Sequence, residues 1–256
     1  MSKDPLQDAF RASQLSARVP NETLQEQIYR QLRHFLMVGR FRPGQPLKIR
    51  DIAESFETSM QPVREAIRQL TAEQALEASP NASTRVPVLD DEQLEDLRSV
   101  RLAVEGLAAE RAVARIDARA VAELARILSA EHAADEAMQV EASIARNLEF
   151  HFRLYSHSGS TILPSIIEGL WLRLGPCIRD AADAVNARGE KKGVAYHSDI
   201  LKALRKKDGR AVRDAIEHDI NRFFDVVRDV REASEQAALA AKRPRGRRPK
   251  QAEPTS

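Results

Sequence analysis

The chain has 256 residues, of which 43% are hydrophobic and 30% are charged, enough for two domains with packed cores. Its formal net charge is +2 and it has one cysteine, which excludes a framework of disulfide bonds and is typical of a reducing cytoplasm. The longest uncharged run, residues 154–167, is too short to span a bilayer, and the N-terminal residues lack the apolar core of a signal peptide.

The first predicted helix follows a leader at residues 1–20 that shows no sustained periodicity and is expected to be flexible. Asn21 or Thr23 can cap this helix. Apolar residues then recur at helical spacing as far as Gly39, and they are Leu24, Ile28, Leu32, Phe35 and Leu36. The composition, with only 5% aromatic residues, indicates a mainly α protein.

Residues 47–88 predict two short helices followed by two short strands. The buried faces of the helices are predicted to be Leu47, Ile52, Ala53 and Phe56 in the first and Val63, Ile67 and Leu70 in the second. Pro62 fits only the first turn of the second helix, where a missing N–H costs nothing. The strands are predicted at residues 76–78 and 85–88. This order is that of a winged helix-turn-helix, which lays its second helix in the major groove of DNA.

The rest of the chain predicts six helices and no strand. They cover residues 89–115, 118–138, 141–157, 162–184, 194–205 and 210–230. Asp90 caps the first, and Gly175 with Pro176 predicts a kink or break in the fourth. Consecutive amphipathic helices of this kind indicate an antiparallel bundle. The predicted domains are therefore a winged helix at 21–88, a helical domain at 89–232 and a basic disordered tail at 233–256.

Two stretches resemble known families. The winged-helix stretch resembles the DNA-binding domain of the GntR family of bacterial transcription regulators, through Pro43-Gly44, Asp51-Ile52-Ala53, Pro62-Val63-Arg64-Glu65-Ala66, Leu70 and Pro80-Asn81. The helical part resembles the ligand-sensing FCD domain of the FadR branch, through residues 101–105 and 147–151 and through His197, Ile200-Leu201, Ala203-Leu204, Asp208, Ala211 and His218. The resemblance covers residues 21–232. It implies a homodimeric, DNA-binding regulator in the cytoplasm, associated with the nucleoid.

The GntR resemblance implies a set of DNA contacts. Carried over to this sequence, they are Arg50, Ser59, Gln61, Arg64 and Asn81, with Arg68 as a weaker candidate. Arg64 lies near the start of the second helix, where it can reach a guanine or a phosphate. Met60 stands where relatives usually carry arginine, and Ser83 stands where the wing usually has glycine. Both departures predict an altered operator sequence, weaker binding to DNA, or additional DNA contacts from another part of the chain.

Three of the six histidines, His151, His197 and His218, lie in predicted bundle helices beside apolar residues. Asn147 is four residues before His151 and projects from the same helix face. Three imidazoles and an oxygen donor can form an open metal site, although spacing alone favours ordinary core or surface histidines. The FCD resemblance implies a divalent ion such as zinc or nickel, bound by Asn147, His151, His197 and His218. Many relatives have aspartate at the first position. Asn147 retains an oxygen donor there but lacks the negative charge of aspartate.

The same resemblance implies a small carboxylate effector close to that ion. Arg101, Glu105 and Arg173 are the candidates to line its pocket. For the two arginines, an ordinary surface position is an equally good interpretation. A bound carboxylate would reposition the two DNA-binding heads of a dimer, with a coupling free energy of about 1–3 kcal/mol.

The C-terminal tail is strongly basic. Six lysines and arginines lie between Lys242 and Lys250, and since the formal net charge is +2, the rest of the chain carries about −4. The segment resembles an AT-hook whose Gly-Arg-Pro core is interrupted by one extra arginine, and Arg245 and Arg247 are its candidates for the minor groove. A disordered tail with non-specific attraction to phosphates is an equally good interpretation.

The sequence thus predicts a ligand-controlled transcription regulator that is not an enzyme. One alternative is a metal-dependent enzyme in which the histidine site activates water. The chain contains no H-E-x-x-H, G-x-S-x-G, P-loop or dinucleotide-binding motif, which disfavours that alternative. The other alternative is a chromosome-binding protein that is driven by the basic tail.

Overall fold

The computed structural model describes residues 22–78, 84–188 and 194–242. Its N-terminal part contains three helices, α1 (Leu24–Met37), α2 (Ile49–Ser55) and α3 (Met60–Ala72). A small antiparallel sheet accompanies them, with strands β1 (Pro46–Leu47), β2 (Glu77–Ala78) and β3 (Thr84–Arg85) in the order β1-β3-β2. This architecture confirms the predicted winged helix-turn-helix.

The local chemistry explains these helices. Thr23 and Glu26 form a reciprocal capping box at the start of α1, which satisfies two backbone N–H groups that the helix leaves without partners. Pro62 lies in the first turn of α3, and the buried face of α3 is Val63, Ala66, Ile67 and Leu70. These side chains pack into one core with the buried face of α1 and with β1.

One strand was not predicted. Leu47 was assigned to the first short helix, but it lies in β1 and pairs with Thr84 of β3. Helix α2 begins only at Ile49, because Lys48 has an extended backbone with φ −93° and ψ 122°. Leu47 is buried in either arrangement, so its apolar side chain could not distinguish a helix from a strand.

The second part of the chain is a helical bundle, as predicted. Its helices are α4 (Asp91–Val113), α5 (Ala118–Glu136), α6 (Val140–Ser156), α7 (Leu163–Ala187), α8 (Val194–Arg205) and α9 (Gly209–Lys242). Asp90 and Asp117 accept hydrogen bonds from the first turns of α4 and α5 and so cap those helices. Within the described residues, no strand follows β3 and no helix has the length and apolar character needed to cross a membrane.

Two helices run further than predicted. Helix α7 continues through Pro176 to Ala187, so Gly175 and Pro176 do not break it. Helix α9 continues past residue 230 to Lys242, so the first part of the predicted disordered tail is helical. This extension is rich in alanine, glutamate and glutamine, which have high helix propensity and need no buried face. The predicted leader and the remainder of the tail lie outside the described residues.

The winged helix packs directly against the bundle through α1 and α7. A Cβ atom on Gly175 of α7 would lie 2.1 Å from the carbonyl oxygen of Leu36, so only glycine allows this close approach. Arginines of the winged helix surround the contact and pair with carboxylates of the bundle. These ion pairs join Arg33 to Glu168, Arg40 to Glu141, and Arg42 to Asp180 and Asp183.

Candidate functional site

Three titratable side chains from different helices meet inside the bundle. They are His151 of α6, His197 of α8 and Asp219 of α9, and both histidines are fully buried. The Nε2 atoms of the two histidines lie 3.1 Å apart. The Nε2 atom of His151 is 3.2 Å from Oδ2 of Asp219. We refer to these three residues as the central cluster.

The groups behind the histidines determine which ring nitrogen carries the proton. Nδ1 of His197 is 2.9 Å from a carboxylate oxygen of Glu131, which can only accept, so this Nδ1 donates. Nδ1 of His151 is 3.1 Å from the hydroxyl of Tyr155, and that hydroxyl donates its one proton to Glu105 at 2.7 Å. The hydroxyl can therefore only accept from His151. When the imidazoles are neutral, both Nε2 atoms direct lone pairs at the centre.

The electrostatics of the cluster favour a positive charge at its centre. Burial lowers the pKa of His197, but the charge and hydrogen bond of Glu131 outweigh it and raise that pKa above its ordinary value. Burial raises the pKa of Asp219, but the hydrogen bond and charge of His151 outweigh it and lower that pKa. Burial and Glu105 raise the pKa of Tyr155 well above 10, so its hydroxyl keeps its proton. Apart from Nδ2 of Asn147, which faces His197, the three acceptors face one another, and a shared proton or a cation between them would stabilise this arrangement.

The cluster has the chemistry and spacing of a divalent metal site. Two imidazoles and a carboxylate suit zinc, nickel or iron. Donors around one tetrahedral ion with bonds of about 2.0–2.1 Å lie roughly 3.3 Å apart, close to the separations observed in the cluster. Asn147 is also adjacent, with Nδ2 3.3 Å from Nε2 of His197. In this orientation the amide nitrogen of Asn147 faces the His197 ring. The amide must rotate by 180° before its oxygen can face the centre of the cluster.

The structure separates His218 from the other predicted ligands. Its side chain is exposed on the outer face of α9, and the next residue, Asp219, faces the two histidines instead. Consecutive residues of an α-helix point about 100° apart, so a shift of one position moves a side chain off the buried face. The central cluster therefore contains a carboxylate, that of Asp219, although Asn147 has none. Glu131 and Tyr155 were not predicted as part of the site.

A cavity of about 150 Å³ adjoins the cluster. Its lining includes Arg101, Asn147, Trp171 and Asp219. Arg101 is buried, and its guanidinium lies 4.4 Å from the centre of the Trp171 ring. Its Nε and Nη2 atoms donate to Glu105 at 2.5 and 3.2 Å, whereas its Nη1 atom has no hydrogen-bond partner in the described part of the chain. Nη1 is therefore free to bind an anion in the cavity.

The other two predicted effector residues have different positions. Glu105 is fully buried behind Arg101 and is not part of the cavity wall. It joins Arg101 to Tyr155 and so belongs to the support of His151. Arg173 is half-buried and outside the lining, and it forms no ion pair with the residues that the structure describes.

The described residues predicted to contact DNA are all exposed: Arg50, Ser59, Gln61, Arg64 and Arg68. On α3, Glu65 accepts from Arg68 at 2.9 Å and from Gln61 at 3.0 Å. Arg50 and Arg64 have no partner among the described residues, so their guanidinium groups are available. Met60, at the start of α3, is also exposed. The remaining candidates, Asn81, Arg245 and Arg247, lie outside the described residues.

Comparison with known proteins gives two family matches. Residues 24–86 match "Bacterial regulatory proteins, gntR family", and residues 96–222 match "FCD domain". The chain is similar to the HTH-type transcriptional regulator McbR of Escherichia coli (strain K12), with 29% identity over 201 residues, 78% of this chain and 91% of the relative. It is also similar to the repressor RspR of the same strain, with 27% identity over 213 residues, 83% of this chain and 92% of the relative. The solved structure of E. coli McbR/YncC has a TM-score of 0.77 and 28% identity, covering 81% of this chain and 98% of that chain.

Proposed function

Because this chain belongs to the GntR family of transcription regulators and carries an FCD domain, we propose that a metal-bound small carboxylate controls its binding to an operator. Its families and named relatives are regulators of transcription, not enzymes. The protein is expected to act as a homodimer on the chromosome in the cytoplasm. The exposed arginines Arg50 and Arg64 are its principal contacts to DNA, and the central cluster is its metal site.

The observation that carries the proposal is the convergence of three acceptors in the central cluster. Glu131 and Tyr155 hold the protons on the outer nitrogens of the two histidines, so the inner nitrogens and Asp219 are all oriented as ligands. Supporting carboxylates and hydroxyls of this kind accompany metal-bound histidines in general. A divalent ion would balance the charges of Asp219 and Glu131, and it would keep further coordination positions for an anion.

Arg101 is the second group proposed to bind the carboxylate. Its guanidinium is held in place by Glu105 on one edge and by the face of Trp171, and Arg101 is part of the cavity lining. Arginine in such a fixed position suits a carboxylate oxygen, since a charged hydrogen bond is stronger than a neutral one.

Helix α7 offers a route from the effector to the DNA. Trp171 and Ala181 of α7 line the cavity, while Gly175 of the same helix touches α1 of the winged helix. A ligand that shifts α7 must therefore also shift α1 or break the contact. This coupling would change the affinity for the operator by the amount that the ligand prefers one arrangement over the other.

The first experiment compares two adjacent residues of α9. Zinc binding to the full-length protein is measured by titration calorimetry for the wild type, Asp219→Ala and His218→Ala. We expect the first variant to lose zinc affinity at least tenfold, because it removes a ligand, and the second to bind zinc like the wild type. Equal loss in both, or in neither, would contradict the assigned ligands.

The second experiment tests the effector. Thermal unfolding of the zinc-loaded protein is followed with a panel of small carboxylates and repeated after chelation. A ligand at a hundred times its dissociation constant stabilises the folded state by about 2.7 kcal/mol, which gives a clear shift in Tm. A shift that disappears with the metal supports the proposal, and the absence of any shift with the metal present would sink it.

A further inference from the structure

We propose that the effector is a monocarboxylate with a compact apolar body of about five or six carbons. This inference rests on the proposed function, and it specifies which carboxylates the cavity accepts. The cavity is polar at the end next to the central cluster and mostly apolar along the helices that lead away from it.

The polar end accommodates one carboxylate. The two positive charges of a divalent ion are already balanced by Asp219 and Glu131, and Arg101 is already paired with Glu105. The end is therefore neutral before the ligand binds. One carboxylate can be held there by an open coordination position and by Nη1 of Arg101, whereas a second would add another uncompensated negative charge close to the first. Arg222, the other cation in the lining, has an interaction of its own.

The apolar wall extends away from this end along α7 and α9, which pack side by side. Trp171 lies against His151, with ring centres 5.1 Å apart, and marks the polar end of α7. With a rise of 1.5 Å per residue, Val185 lies roughly 21 Å further along that helix. Most side chains of α7 and α9 that line the cavity beyond the polar end are apolar, with Arg222 as the exception: Ile178, Ala181, Ala182 and Val185 of α7 and Phe223 and Val226 of α9. The pair Arg188–Asp229, at 2.8 Å, holds the two helices together beyond this wall.

An apolar wall selects against hydroxylated ligands. A hydroxyl moved from water against these side chains loses hydrogen bonds that they cannot replace. A CH2 group placed there gains about 0.8 kcal/mol, or about fourfold in affinity. The cavity volume of about 150 Å³ sets the size of the body, since an engineered apolar cavity of similar volume binds benzene. Hexanoate and benzoate have bodies of this size.

The test uses the zinc-loaded, full-length protein and calorimetric titration with acetate, butyrate, hexanoate and benzoate. Affinity should rise from acetate to hexanoate by up to about fourfold per CH2 group. Adipate, which has a second carboxylate, and gluconate, which has five hydroxyls, should bind at least tenfold more weakly than hexanoate. These two comparators have the same number of carbons as hexanoate.

A pair of variants on α7 tests the wall itself. Ala182→Asp introduces a charge into the apolar wall, and Ala187→Asp makes the same change at an exposed position outside it. We expect Ala182→Asp to weaken hexanoate binding at least tenfold and Ala187→Asp to leave it unchanged. Zinc affinity should be equal in both variants, which shows that the bundle is intact.

The possible failures are distinguishable. Equal affinity along the acetate-to-hexanoate series, or preference for adipate or gluconate, overturns the apolar body and leaves the proposed metal-dependent effector standing. Hexanoate binding that survives chelation retains the apolar body and overturns the role of the metal. If none of the probes binds with zinc present, both proposals are overturned.

Discussion

The interior of the bundle and the exposed surface of the winged helix use charged side chains in opposite ways. In the bundle, Arg101, Glu105 and Glu131 are almost completely buried, and each is held by a specific partner. On the winged helix, Arg50 and Arg64 are exposed and have no partner among the described residues. Buried charges are costly unless paired, whereas exposed charges cost little to leave free.

This difference determines what each region can do. Fixed partners give the bundle a set of donors that is oriented before any ligand arrives, which lowers the cost of binding one. Free arginines on the winged helix can adapt to phosphates and base edges and release counterions when they do so. The bundle is therefore suited to discriminate among small molecules, and the winged helix to bind a large anionic surface.

The largest expected effect tests the pairing in the bundle. Glu105→Gln leaves the charge of Arg101 buried without its counterion, and it should reduce the free energy of unfolding by about 3–5 kcal/mol. The control Glu65→Gln breaks an exposed pair with Arg68 and should change that free energy by less than about 0.5 kcal/mol. Both are measured by urea denaturation. Similar small losses in the two variants would contradict the contrast between the regions.

The next effect concerns the junction between the two regions. Gly175→Ala would force a methyl group against the backbone of α1 at Leu36, and it should destabilise the protein by about 1–3 kcal/mol and alter operator affinity. The control is Gly169→Ala on the same helix, where a Cβ atom meets nothing within 4 Å. There the gain in helix propensity should stabilise by about 0.5–1 kcal/mol. Destabilisation by both changes would mean that α7 rather than its contact is sensitive.

The sequence predicted the bundle's helices well because their apolar residues recur over long stretches. Errors occurred where that signal is weak. Leu47 is one apolar residue in a two-residue strand, and the end of α9 has high helix propensity without a buried face. The pairing of β1 with β3 joins residues distant in sequence, and local patterns do not record it.

Of the residues predicted as metal ligands, His151 and His197 lie together in the central cluster, and Asp219 rather than His218 is the third member of that cluster. The spacing of the apolar residues in α9 could have identified Asp219. Val212, Ile216 and Ile220 are buried, and Asp219 lies on the same face of the helix. Glu131 and Tyr155 carried no such signal. Their role depends on hydrogen bonds between helices, which only the packed bundle defines.

An effect of similar size tests the groups behind the proposed metal ligands. Tyr155→Phe removes the hydroxyl that orients His151, and it should lower zinc affinity by about 10–100-fold without removing a ligand. The control Tyr29→Phe removes a hydroxyl that binds Glu73 in the winged helix, and it should leave zinc affinity unchanged. Calorimetric titration with zinc measures both. Wild-type affinity in Tyr155→Phe would show that His151 is oriented without the hydroxyl.

Two exposed arginines of α3 are expected to differ in their effect on DNA binding. Arg64→Ala should cost about 1–3 kcal/mol on an operator selected from random DNA by the wild-type protein, and much less on unrelated DNA, if this side chain reads a base. Arg68 is partly neutralised by Glu65, so Arg68→Ala should cost less than about 0.5 kcal/mol on both DNAs. Fluorescence anisotropy at several salt concentrations measures these affinities. A larger loss for Arg68→Ala, or a loss for Arg64→Ala that is equal on both DNAs, would move the specific contact away from Arg64.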